Sequence, residues 1–166
     1  MFRYAADVIK ASDIPADFSA VLSGHIHRCQ VLSNNLKGKA LHALVFYPGA
    51  IDRTSFAEKN EKKGYLTLEF EKDGLKSGRL SRWRFHELPT RPMIQLNLHS
   101  GDMDAAQLRS YLKSTIGELP QDGIVKLKIH GRIPQAAMAV LRAASLRALA
   151  PPTMNIDTAF QEYNFF

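Results

Sequence analysis

Cysteine occurs once in this sequence, at Cys29, so no internal disulfide can staple the fold, and a reducing, cytoplasmic setting is the expectation. Apolar runs extend only a few residues, far short of the ~20 that span a bilayer, so no membrane association is expected. No charged segment followed by about 7–15 apolar residues opens the chain, so no secretory signal is expected either. Internal repeats and low-complexity tracts are also missing. What is there is ordinary globular material, 45% hydrophobic and 23% charged, which excludes disordered and fibrous classes. At 166 residues, folding buries roughly 68–70% of the unfolded chain's surface, enough for a core without staples.

Acid is the scarcer charge. Lys and Arg number 22 against 16 Asp and Glu, a net +6 that favours anionic partners. Through residue 92 the count is 15 basic against 10 acidic residues, and beyond it 7 against 6, so the excess belongs to the first half. Its densest stretch, "KDGLKSGRLSRWRF", sets Lys72, Lys76, Arg79, Arg82 and Arg84 against Asp73 alone. Such a run is either a solvated strand face or a surface that contacts phosphates.

The pattern of apolar residues predicts α+β organisation. "FSAVLSG", Phe18 to Gly24, reads as a buried strand, and Leu44 to Tyr47 as another running into a Pro-Gly turn. "GYLTLEFEKDG" alternates with Leu66, Leu68 and Phe70 on one face. It turns at Lys72-Asp73-Gly74 into "GRLSRWRFHEL", predicting a hairpin. The two prolines of "LPTRP" mark a domain boundary, giving domains 1–88 and 89–166. Beyond it a strand, Met93 to Leu98, precedes a helix with Leu108, Leu112 and Ile116 in register. Asp102 is expected as its N-cap or a first-turn acid. A strand with Val125, Leu127 and Ile129 inward, an alanine-rich helix over "QAAMAVLRAASLRALA" and a last strand at "TMNID" complete a β-α-β-α-β module.

The residues with most chemistry stand at the end of the first strand, in "GHIH". In an extended segment, positions i and i+2 project to one side, so His25 and His27 can reach one cation or two neighbouring ones. Neutral imidazoles suit manganese, zinc, iron or copper. An isolated H-x-H is more often a pair of surface or satisfied core histidines than a metal site. Arg28 and Arg53 are placed to face a phosphate, or to serve as surface and turn-stabilising residues. Asp52 is a candidate to orient Arg53 or a histidine. His42, His86, His99 and His130 read as structural or solvent-facing, and Cys29 has no partner base that would make it a nucleophile.

"GHIH" is followed by "YPGAIDRTSFAE" and "KGY", and this combination resembles the C-terminal part of the catalytic domain of SbcD/YhaO-type DNA repair exonucleases, within the calcineurin-like metallophosphoesterase superfamily. "LPTRPM" and the module after it resemble that family's capping domain. The resemblance implies a partial metallophosphoesterase β-sandwich followed by a β-α-β-α-β capping, DNA-binding domain. It also implies a site of two ions, usually manganese, His25 on one and His27 on the other, that hydrolyses DNA phosphodiesters. Two cations about 3.5–4 Å apart activate a bridging water and stabilise charge on both attacking and leaving oxygens.

The family's other ligands come from D-x-H, glycine-aspartate and asparagine-histidine motifs and a further histidine. No aspartate here is followed two residues later by histidine, and no Asn-His occurs. "SGDMD" imitates the glycine-aspartate motif but follows "GHIH" in chain order. Two histidines do not organise a two-metal site alone. The expectation is therefore the C-terminal fragment of a metal-dependent exonuclease, no complete catalytic set in this chain, and partners in DNA and an SbcC-type ATPase subunit. The alternative is a non-catalytic module that binds DNA or the ATPase partner. Sheet edges left open in a partial sandwich predict a homodimer.

Overall fold

The computed structural model describes residues 9–74, 77–99 and 101–161; Lys76 of the basic run lies outside them. The architecture is α+β, with eight strands in three sheets, two α-helices and three short 3-10 segments among the described residues. The chain divides after Thr90 into two compact units.

In the first unit, β1 (Ala20–Leu22) runs parallel to β3 (Ala40–Tyr47), and β2 (Gln30–Asn34) pairs antiparallel on β3's other side. The expected buried strand over Phe18 to Gly24 is shorter and wetter than its apolar letters suggested. Leu22 is 62% exposed and Phe18 49%. As an edge strand β1 has only β3 beside it, so much of its apolar surface stays uncovered among the described residues. β2 was not foreseen. Its turn into β3 is held by the Asn35 carboxamide, which accepts from the backbone N–H of Lys37 at 2.9 Å and Lys39 at 3.0 Å, with Gly38 at φ +78°.

The hairpin pairs β4 (Gly64–Asp73) with β5 (Ser77–Glu87) as expected. Leu66 and Leu68 share a face with Phe85 and Trp83, and the Trp83 ring meets Phe46 of β3 edge-on at 5.7 Å between centroids. A bulge between Glu69 and Phe70 breaks the register, and beyond it Phe70 is exposed, contrary to the simple alternation. The hairpin also changes the reading of the basic run. Arg82 pairs with Glu69 and Arg79 with Glu71, both at 2.9 Å, because β4 places its acids directly across the strand pair.

The second unit is a parallel sheet in the order β6 (Met93–His99), β7 (Ile124–His130), β8 (Asn155–Gln161). Helix α1 (Ala105–Gly117) buries Leu108, Leu112 and Ile116 against Leu98, Val125, Leu127 and Ile129, the faces foreseen from periodicity. Its N-cap is Asp104, not Asp102. The Asp104 carboxylate accepts from Ala106 and Gln107 N–H at 2.8 Å while the Gln107 side chain reaches back to the Asp104 N–H, a capping box. The alanine-rich stretch is not one helix. It runs as a 3-10 segment (Gln135–Leu141), an extended Arg142, and then α2 (Ala143–Leu149). Buried Val140, Leu141 and Leu146 are spaced so that a continuous α-helix would turn Leu146 off the core face, and the break at Arg142 restores the phase. Arg91, inside "LPTRP", donates to Asp122 O, Thr153 O and Asn155 Oδ1, each at 2.8 Å, tying the strand starts together.

Candidate functional site

The histidine pair lies in the loop between β1 and β2, and this loop is not extended. His25 has φ +70°, and the Ile26 N–H donates to Gly24 O at 2.8 Å, closing a three-residue turn around it. The alternation argument for a shared side therefore does not apply. His25 occupies a left-handed conformation that non-glycine residues seldom adopt, although histidine is among those enriched there. His25, His27 and Arg28 are all exposed.

His27 is gripped from three directions by segments that follow β3. Gly49, at φ +84°, lies so close to the loop that a Cβ there would sit 2.8 Å from Cys29 N and 2.9 Å from His27 O. Next to it, the Ala50 N–H donates to His27 O at 3.0 Å. From the 3-10 turn Phe56–Glu58, Glu58 Oε1 lies 3.0 Å from His27 Nδ1. The Thr54 hydroxyl donates to the same Oε1 at 3.0 Å, with its oxygen 3.2 Å from Nδ1.

Lys63 completes the grip. Its side chain is fully buried, and its ammonium donates to Glu58 Oε2 at 2.8 Å, Glu61 Oε2 at 3.0 Å and His27 O at 3.0 Å. Three donors thus meet three acceptors, the condition under which a buried charge is tolerated. Burial disfavours the charged ammonium, but its hydrogen bonds to Glu58 and Glu61 and their negative charges outweigh that, so its pKa is raised. Glu58 moves the other way. The hydrogen bond from Lys63, and next the one from His27, lower its carboxyl to about 2.

Of the arginines, Arg53 donates through Nε and Nη2 to Glu61 O, at 3.1 and 3.0 Å, which braces the turn that delivers Glu61 and Lys63. Asp52 accepts from the Arg53 backbone N–H at 2.7 Å and so acts on the chain itself. Burial pushes the Cys29 thiol up. His42 Nε2 lies 2.9 Å from Pro15 O, and the His86 ring stacks on Tyr65 at 4.8 Å between centroids. His99 and His130 stack at 4.7 Å on adjacent strand ends of the second unit.

As metal donors, the two imidazoles are the right chemistry for manganese or zinc, and His27 presents a nitrogen not engaged by Glu58. Among the described residues no group of three or more His, Cys, Asp or Glu is arranged to hold an ion. Among the described residues the two imidazoles are thus a chemically fitting but partial donor set. Sequence reasoning missed Glu58, Thr54 and Lys63. All three stand inside the quoted stretches "RTSFAE" and "KGY", yet Lys63 sits in "EKNEKKGY", a charge run that looks solvated throughout. Among the described residues no helix is long and apolar enough to cross a membrane. No protein-family model matches the chain, and no curated protein matches it.

Proposed function

We propose that this chain carries part of the metal site of a phosphodiesterase of the SbcD/YhaO type, with His25 and His27 as ligands to two ions, usually manganese in that family. In this reading the first unit supplies the C-terminal strands of a metallophosphoesterase sandwich and the second is the capping domain. DNA is the substrate, and an SbcC-type ATPase is the protein partner. One observation supports it above the others. The separated stretches that carry the resemblance converge on one residue, with "PGA" and "KGY" on the His27 carbonyl and "TSFAE" on its ring. A surface histidine without a role needs no such support.

The further ligands of a two-ion site must come from other residues than the two histidines, so the chain alone is proposed to bind metal weakly and to hydrolyse DNA poorly or not at all. The metal supplies the activated water and charge stabilisation when bound. His27, held by its ring and its carbonyl, supplies a fixed nitrogen donor. Isothermal titration with manganese or zinc tests this reading: binding is expected for the native chain and reduced for His25→Ala and for His27→Ala. Equal titrations for all three proteins would remove both histidines from the ligand set.

A second reading, a non-catalytic DNA-binding module, is favoured by the second unit. Lys126, Lys128 and the stacked His99 and His130 occupy the sheet face opposite the one that α1 covers. It predicts DNA affinity that falls steeply with salt and survives both histidine substitutions.

A further inference from the structure

We propose that Glu58 is a positioning residue that selects which nitrogen of His27 is offered to a metal ion, by accepting the Nδ1–H and leaving the Nε2 lone pair as the donor. The inference rests on the reading of His27 as a ligand.

A neutral imidazole carries one N–H and one lone pair, and the partner of one nitrogen decides the role of the other. Glu58 Oε1 stands 3.0 Å from Nδ1, and an ionised carboxylate only accepts. The Thr54 hydroxyl spends its single proton on the same Oε1, so its oxygen also faces Nδ1 as an acceptor. Both neighbours of Nδ1 therefore call for a proton there. A lone pair at Nδ1 would be directed at a negative oxygen.

The carboxylate is itself fixed. Its Oε2 accepts from the Lys63 ammonium at 2.8 Å and from the Thr54 backbone N–H at 3.3 Å. Lys63 then returns to the His27 carbonyl, closing a ring in which the backbone and the side chain of one residue are held by the same pair of partners. Rotation of the imidazole has to break the Glu58 contact while Lys63 keeps the backbone in place. Outer-shell carboxylates of this kind typically contribute about 10–100-fold to metal affinity by fixing ring orientation and tautomer.

The experiment has two readouts on the native chain. Long-range proton–nitrogen correlation spectra of the His27 ring are recorded at about pH 8, where histidine is mostly neutral. They are compared with those of Glu58→Ala, which removes the acceptor, and of Glu58→Gln, which keeps side-chain size and an acceptor oxygen and is expected to retain the native tautomer. A manganese titration follows on each protein. The expected result is a single Nδ1–H tautomer in the native chain and a mixed or reversed tautomer in Glu58→Ala, with manganese affinity lower by about 10–100-fold. An Nε2–H tautomer in the native chain, or a tautomer unchanged in folded Glu58→Ala, would overturn the proposal. A fixed Nδ1–H tautomer that depends on Glu58, in a native chain that takes no metal, supports the positioning role and overturns the ligand reading instead.

Discussion

Two adjacent lysines are expected to behave in opposite ways when changed to methionine. Lys63→Met keeps most of the side-chain stem but removes an ammonium that serves three acceptors inside the first unit. Removing one partner from a buried ionic cluster costs about 3–5 kcal/mol. Here the carboxylates left behind are 13% and 26% exposed, so water recovers part of their solvation and the lower end of that range, about 3 kcal/mol, is expected. For a unit of this size about 3 kcal/mol corresponds to a fall in Tm of roughly 12–24 °C. Lys62 pairs with Glu87 at 2.8 Å across exposed side chains, where water and salt screen the attraction, so its loss is expected to leave stability nearly unchanged. Trp83, the only tryptophan, packs on Phe46 in the same unit, so its fluorescence during urea or thermal unfolding reports the transition directly. A Lys63→Met protein within about 0.5 kcal/mol of the native chain, or a Lys62→Met protein equally destabilised, would refute the assignment of Lys63 as the centre of this cluster.

The same cluster sets an acid limit. Glu58 titrates near 2 in the folded chain against an ordinary 4.5, so its contribution is present above about 4.5 and is lost as pH falls towards 2; urea midpoints across that range should fall more steeply in the native chain than in Glu58→Gln. Lys63, whose pKa is raised, contributes below 10.5 and loses that contribution only at higher pH, so no weakening on its account is expected through neutrality. Gly49→Ala places a Cβ against Cys29 N at a φ of +84°, which should cost about 1–3 kcal/mol and shift the amide resonances of His27 to Cys29; unchanged resonances would contradict the close approach. The outer edges of β1 and β2 carry no partner among the described strands, so light scattering should detect a dimer at high concentration, and a strict monomer would contradict that expectation.

Where local pattern and burial coincide, the letters were enough. Helix α1 and strand β7 show their buried faces in the spacing of Leu108, Leu112, Ile116 and of Val125, Leu127, Ile129, because one covered face imposes one period. The β4–β5 hairpin was legible for the same reason up to its bulge. What escaped was decided by contacts distant in sequence. Lys63 looks solvated beside Lys62, and only Glu58, Glu61 and the His27 carbonyl, brought in by the fold, make it a buried residue. The break at Arg142 follows from where the sheet needs Leu146, which no helix propensity reports. Two arginines of the basic run, Arg82 and Arg79, are paired because Glu69 and Glu71 stand across the strand from them, which halves the excess that the run shows in the letters alone. At "GHIH" the turn at His25 was not legible, since a left-handed histidine leaves no mark in the letters.

The central claim, that His25 and His27 are metal ligands, is tested most directly by electron paramagnetic resonance of manganese titrated into the native chain and into the His25→Ala/His27→Ala double variant. Free manganese gives a strong signal that is lost on binding. The account predicts that the native chain depletes the free-ion signal and the double variant does not; identical depletion by both proteins would contradict it.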